Sequence, residues 1–158
     1  MKTLLLGLGN PIVGDDAIGI KIVEWLQKTT ELPNTTVDSD ISLSGIGLVE
    51  QFRGYDQVII VDSMVTGKHP PGTVKTLHPD QFLSSHHTSD FHNMDFFTAL
   101  DWGYQNFDYI PPKEKITIIG IEIQFVQEFS EELSPEILKQ LETIQNTVKS
   151  EVMANHVV

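Results

Sequence analysis

Short runs of consecutive apolar residues are the clearest pattern in this chain, and they predict buried β-strands. Three such runs cover residues 3–8, 57–61 and 115–121. Strands that are covered on both faces read as continuous apolar runs rather than as alternation. Residues 35–38 form a weaker strand candidate, and residues 73–77 alternate as expected of an edge strand.

Apolar residues at helical spacing separate these strands. After the first strand, four of them share one predicted helix face: Ile18, Ile22, Trp25 and Leu26. Asp15 or Asp16 can cap the start of that helix. Residues 44–52 predict a short helix with Ile46 and Val49 facing inward, and residues 94–100 predict another.

The last helix has the strongest signals. Ser134 suits its N-cap and Pro135 suits its first position. A single apolar stripe follows: Ile137, Leu141, Ile144, Val148 and Val152. Because strand and helix patterns alternate, the sequence predicts one domain over residues 1–158, an α/β sandwich with a mostly parallel sheet. In such sheets, binding sites form beyond the carboxyl ends of the strands.

The composition narrows the chemistry that is available to this domain. The chain has no cysteine, so a metal ligand must come from His, Asp, Glu or the backbone. The formal net charge of -12 disfavours nucleic-acid binding. No apolar run reaches the roughly 20 residues of a membrane span, and the start does not match a signal peptide. We therefore expect a cytoplasmic protein without membrane or nucleic-acid partners.

Two segments at predicted strand ends carry acidic residues. The first, GLGNPIVGDD, joins the first strand to the first helix and ends in Asp15 and Asp16. A dinucleotide fingerprint would need its third glycine at Ile12, so that type of site is excluded. A carboxylate at a helix start can cap the helix, bind a cation, or do both. Asp62 directly follows the second buried strand, where it either belongs to a site or starts a turn.

A third segment, residues 84–95, is rich in histidine, and its first part belongs to a loop predicted over residues 80–90. Imidazole and carboxylate groups together bind divalent transition metals, whereas a solvated polar loop is the alternative interpretation. The spacing allows Asp16, Asp62 and one of these histidines to converge at one end of the sheet.

Taken together, these segments resemble the hydrogenase maturation endopeptidases over about residues 3–150. GNPIVGDDAIG resembles the family's GNxxxxDDxxG signature, and VIIVDS resembles the strand and aspartate that follow it. His92-Asn93-Met94 resembles a segment of the members that serve hydrogenase-3 type enzymes. The resemblance implies a three-layer α/β/α sandwich of the phosphorylase/hydrolase-like type, with a five-stranded, mostly parallel sheet.

The resemblance also implies an activity. It implies a peptide-bond hydrolase that removes the C-terminal extension of a nickel-iron hydrogenase large-subunit precursor after nickel insertion. The implied metal ligands, and the implied catalytic residues, are Asp16, Asp62 and His92. The resemblance implies that the substrate carries the nickel and is recognised through it, and that another divalent metal can occupy the same ligands. The base that activates water stays open among Asp15, Asp16 and Asp40.

One stretch departs from the family pattern. Where the family has Asp-Gly-Gly-Thr-x-Gly, this chain reads Asp-Ile-Ser-Leu-Ser-Gly from Asp40 to Gly45. Asp40 and the closing Gly45 are implied to contact the substrate, while two glycines are absent. The loss of these two glycines is therefore expected to affect which precursor the protein accepts.

Two other functions fit parts of the sequence. The same ligands suit a nickel-binding maturation chaperone without peptidase activity. Peptidyl-tRNA hydrolases also begin with a strand and GLGNPG, and then have a Thr-Arg-His-Asn stretch. This chain has Gly14-Asp15-Asp16-Ala17 there, without histidine, and its negative charge opposes tRNA binding.

Overall fold

The computed structural model describes residues 1–39, 45–79, 91–124 and 128–156, with the side chains of residues 91–95 left out. The described residues form five strands: β1 (Thr3–Gly7), β2 (Thr35–Asp38), β3 (Gln57–Met64), β4 (Val74–Leu77) and β5 (Ile116–Glu122). They also form four α-helices: α1 (Ile18–Thr29), α2 (Gly45–Glu50), α3 (Phe91–Asn106) and α4 (Pro135–Asn155). A short 3-10 turn, Gly14–Ala17, leads into α1.

The strands form one sheet in the order β2-β1-β3-β5-β4. All neighbours are parallel except β4, which runs antiparallel to β5 at the edge. The predicted strands, including the edge strand, are thereby confirmed. Gly7 pairs with Val61, so the carboxyl ends of β1 and β3 lie side by side. We call this side of the sheet the carboxyl edge, and the opposite side the amino edge.

Helices cover both faces of the sheet, which confirms the three-layer α/β/α sandwich. On one face, α1 and α4 bury an aliphatic core that includes Leu5, Ile22, Ile59, Ile121, Ile144 and Val148. On the other face, α2 and α3 bury a more aromatic core that includes Leu6, Phe52, Ile60, Phe96, Leu100 and Ile118. Within the described ranges, no helix is long and apolar enough to cross a bilayer.

Three local predictions are wrong. Ile46, expected to face inward, is 41% exposed, whereas its neighbour Leu48 is buried with Val49. A helix was predicted over residues 94–100 only, but α3 begins at Phe91 and continues to Asn106, with a buried face supplied by the apolar residues after its first turn. No side-chain cap stabilises the 3-10 turn or α1, so neither Asp15 nor Asp16 caps this helix. The rest of the histidine-rich segment, residues 84–90, lies outside the described residues.

Helix α1 lies unusually close to the ends of β1 and β3 at Gly19. A Cβ atom on Gly19 would lie 2.4 Å from the carbonyl oxygen of Val61 and 2.6 Å from that of Leu8. Both are backbone atoms that cannot rotate away. The approach therefore requires a residue without a side chain, and it brings the start of α1 against the carboxyl edge.

Asp15 joins the start of α1 to the start of α4. Its side chain is buried, and its two carboxylate oxygens accept hydrogen bonds from the Ser134 amide and hydroxyl, each at 2.7 Å. Ser134 is in turn the N-cap of α4 and accepts from the amide of Ile137. Nearby, Gly14 and Ser130 are joined by a backbone hydrogen bond of 2.8 Å. Asp15 thus has a structural role between two distant segments.

We expect Gly19→Ala to destabilise the fold by about 1–3 kcal/mol, because the added methyl group pushes α1 away from the strand ends. This loss opposes the gain of about 1 kcal/mol that alanine gives to a helix interior. Urea unfolding measures the difference. Gln27→Ala, at an exposed position of the same helix, is the control, and a stabilised Gly19→Ala protein would contradict the packing argument.

We expect Asp15→Asn to lower the free energy of unfolding by about 1–3 kcal/mol, because the amide nitrogen would face one of the two Ser134 donors. Equilibrium urea denaturation tests this. Glu142→Gln, which changes an exposed carboxylate of α4, should stay within about 0.5 kcal/mol of the wild-type protein. Equal unfolding midpoints for the Asp15→Asn and wild-type proteins would show that the contact does not stabilise the fold.

Candidate functional site

Asp16 is held by the turn that connects β1 to α1. The amide of Asn10 donates to Asp16 Oδ2 at 2.9 Å, and Asn10 Oδ1 accepts from the amide of Ile12 at 3.2 Å. Gly9 has φ of +145°, and a Cβ there would lie 2.1 Å from the carbonyl oxygen of Asp16. The glycine, the asparagine and the second aspartate of the GN–DD signature therefore build one tight loop that fixes the Asp16 carboxylate.

Asp62 approaches from the neighbouring strand. It lies within β3, which continues two residues beyond it to Met64, and its side chain is only 6% exposed. Its Oδ1 accepts a hydrogen bond from the amide of Ser63 at 2.8 Å. The expected position at the carboxyl edge of the sheet is correct, although the strand is longer than the apolar run predicts.

Ser63 connects the two carboxylates. Its hydroxyl donates to Asp16 Oδ1 at 2.7 Å, while its amide donates to Asp62 Oδ1. Asp16 and Asp62 therefore both contact Ser63 at the carboxyl edge of the sheet, Asp16 through the serine hydroxyl and Asp62 through its amide. The sequence analysis did not identify Ser63, since a serine after an aspartate is common, and only the pairing of β1 with β3 brings it beside Asp16.

The carboxylate oxygens at this site are of the type that binds divalent cations. Each carboxylate oxygen has two acceptor positions, so the Asp16 oxygens can still accept after their single hydrogen bonds from Asn10 and Ser63. Carboxylates with imidazole suit nickel, zinc or iron. Among the side chains that the structure describes, no group of three His, Asp or Glu is arranged to hold a metal. The third predicted ligand, the His92 side chain, lies outside those described side chains.

The other predicted site residues are distributed as follows. The backbone of His92 belongs to the first turn of α3. Gly45 is the first residue of α2, the helix that follows β2 in the chain. Asp40 lies outside the described residues, so the altered stretch is represented by Gly45 alone. Asp15 lies beside Asp16 in sequence, but both of its oxygens are bonded to Ser134.

Glu122 is a further buried carboxylate at the carboxyl edge, at the end of β5, and the sequence analysis missed it. It is 1% exposed and accepts hydrogen bonds from the amide and the hydroxyl of Thr66. The amide of Gly72 donates to the Glu122 carbonyl at 2.7 Å. Glu122 therefore holds both ends of the connection from β3 to β4.

At the amino edge, Tyr104 has a clearly raised pKa. Burial, and then the charges of Glu114 and Asp101, raise the pKa of Tyr104 to about 12. Its hydroxyl donates to the carbonyl oxygen of Pro111 at 2.5 Å, which explains why the neutral form is retained. This tyrosine closes the loop after α3.

Comparisons with known proteins show which family this chain resembles. A family model described as hydrogenase maturation protease matches residues 20–151. The hydrogenase 2 maturation protease of Escherichia coli is 36% identical over 81 residues, which are 51% of this chain and 49% of that protein. The hydrogenase expression/formation protein HupD of Thiocapsa roseopersicina is 30% identical over 143 residues, which are 89% of this chain and 62% of that protein.

A solved structure shows the same likeness in three dimensions. The hydrogenase maturating endopeptidase HybD from E. coli superposes with a TM-score of 0.76 at 26% identity, over 98% of this chain and 93% of that chain. The chain spans about half of the length of the first sequence relative and 62% of the second. With a family model that matches most of its length, the chain belongs to the hydrogenase maturation protease family.

Proposed function

We propose that this protein is a cytoplasmic endopeptidase that removes the C-terminal extension of a nickel-iron hydrogenase large-subunit precursor after nickel has been inserted. Family membership supports the reaction class. The observation that carries the proposal is the pair Asp16 and Asp62, held on Ser63 at the edge where sites form in this fold.

The nickel of the precursor is proposed to bind Asp16, Asp62 and His92. The direction of α3 supports the third ligand. Just after its last turn, Phe107 stacks on Tyr109 with ring centroids 4.8 Å apart, and Arg53, which precedes β3, lies 4.1 Å above the Tyr109 ring. The last turn of α3 therefore lies at the amino edge. The first turn, which contains His92, is directed toward the carboxyl edge.

Binding the substrate's own nickel would make cleavage conditional on metal insertion. The ion would act as a template that positions the scissile peptide bond beside the carboxylate pair. When bound, it can also polarise a carbonyl group or lower the pKa of water. Asp15 is a poor candidate for the base, because Ser134 occupies both of its oxygens. Asp16 and Asp40 remain the proposed candidates.

The loop between β2 and α2 is proposed to contact the precursor through Asp40 and Gly45. Gly45 begins α2, and α2 packs on the same face of the sheet as α3. The missing glycines of this stretch change its backbone freedom, so it is the part of the site where precursor choice would differ between relatives.

We expect Asp62→Asn or His92→Ala to abolish trimming of the nickel-loaded precursor, because each removes a proposed nickel ligand. The fold of each variant should stay intact. Mass spectrometry of the large subunit measures the product, and circular dichroism checks the fold. Asp101→Asn, which changes an acidic residue near the amino edge, should trim at the wild-type rate. Normal product formation by either site variant would remove that residue from the proposed site.

We expect precursor without nickel to remain uncut by the wild-type protein, because no ion links it to the carboxylate pair. The two precursor forms are incubated in parallel, and the mass of the large subunit is measured. Efficient cutting of the nickel-free form would contradict recognition through nickel. Tight binding of the nickel-loaded form without any cutting would instead support the maturation chaperone.

A further inference from the structure

Ser63 contacts both candidate carboxylates. Its amide donates to the carboxylate of the residue before it, Asp62, at 2.8 Å. Its hydroxyl donates across to Asp16, 47 residues earlier in the chain, at 2.7 Å. The serine is half-buried within β3, so its backbone is fixed by the sheet. Both carboxylates are thus oriented by a single rigid residue.

The contact of Ser63 with Asp16 depends on the serine side chain, whereas its contact with Asp62 is made by the backbone amide. The backbone amide of residue 63 is present whatever the side chain, whereas the hydroxyl is removed by a change to alanine. Asp16 has one other donor, the amide of Asn10 on Oδ2. Without the Ser63 hydroxyl, Oδ1 of Asp16 loses its donor, and the carboxylate can turn about its own bonds toward solvent.

A hydrogen bond from a neutral donor orients a carboxylate without cancelling its charge. A lysine or arginine at the same place would neutralise Asp16 and compete with a cation. Outer groups that orient metal-binding carboxylates are known to influence affinity or activity by roughly 10–100-fold when removed. The Ser63 hydroxyl has the position, the donor chemistry and the rigid support for such a role.

We propose that Ser63 is a positioning residue that aims Asp16, together with Asp62, at the metal carried by the precursor. This inference rests on the proposed function, since the metal belongs to the substrate. Ser63 touches neither the metal nor the scissile bond in this role. It acts through Asp16, and it should therefore affect how well the precursor is recognised more than how fast the bound precursor is cut.

The test compares Ser63→Ala, Ser63→Thr and wild-type protein in trimming of nickel-loaded precursor, with kcat and KM determined separately. We expect Ser63→Ala to lower kcat/KM by about 10–100-fold, mainly through a higher KM. Ser63→Thr keeps the hydroxyl in a residue that strands favour, and it should restore most of the loss. Ser150→Ala, at an exposed serine of α4, should match the wild-type protein.

Thermal unfolding separates positioning from a packing role. Ser63→Ala should unfold within a few degrees of the wild-type protein while its KM rises. If Ser63→Ala keeps the wild-type kcat/KM, or if Ser63→Thr is as impaired as Ser63→Ala, the positioning role is overturned and the proposed function stands. If the wild-type protein fails to trim nickel-loaded precursor, the proposed function is wrong, and the positioning role of Ser63, which rests on it, is wrong as well.

Discussion

The carboxyl edge depends on the contact of backbone with backbone where α1 begins. The helix start lies so close to the ends of β1 and β3 that three positions have no space for a side chain. At Gly7, a Cβ would lie 2.8 Å from the carbonyl oxygen of Gly19, and Gly9 and Gly19 face similar or closer backbone oxygens. This closeness allows Asp16, on the turn before α1, to share a serine with Asp62 on β3. A wider spacing of helix and sheet would separate the two carboxylates.

The two adjacent aspartates have different roles because they have different donors. Asp15 is buried, and the amide and hydroxyl of Ser134 occupy one oxygen each. Asp16 is half-buried, and its donors are the Asn10 amide and the Ser63 hydroxyl. Both of these donors are neutral, so neither cancels the charge of Asp16. Asp15 therefore anchors the turn to α4, while Asp16 is held at the carboxyl edge with its charge kept by these two donors.

Much of the fold could be predicted from the sequence, because it follows from local pattern. The apolar runs gave the buried strands, and Ser134 with Pro135 correctly marked the start of α4. The failures around the candidate site share one physical cause: they depend on partners that are distant in the chain. A single sequence cannot show that Asp15 bonds to Ser134 rather than capping α1. Nor can it show that Ser63 lies beside Asp16, or that Glu122 is buried against Thr66. The sequence could predict that Asp16 and Asp62 lie at the carboxyl edge, but not which groups orient them.

The bond between Asp15 and Ser134 spans 119 residues of chain. During synthesis, β1, α1 and β3 can emerge and pair long before the start of α4 leaves the ribosome, since elongation adds about 5–20 residues per second. Until then, the turn that carries Asp16 lacks its anchor on Asp15. The loop that holds Asp16 thus reaches its final shape only in a chain that has reached α4, so the last helix completes a turn that follows the first strand.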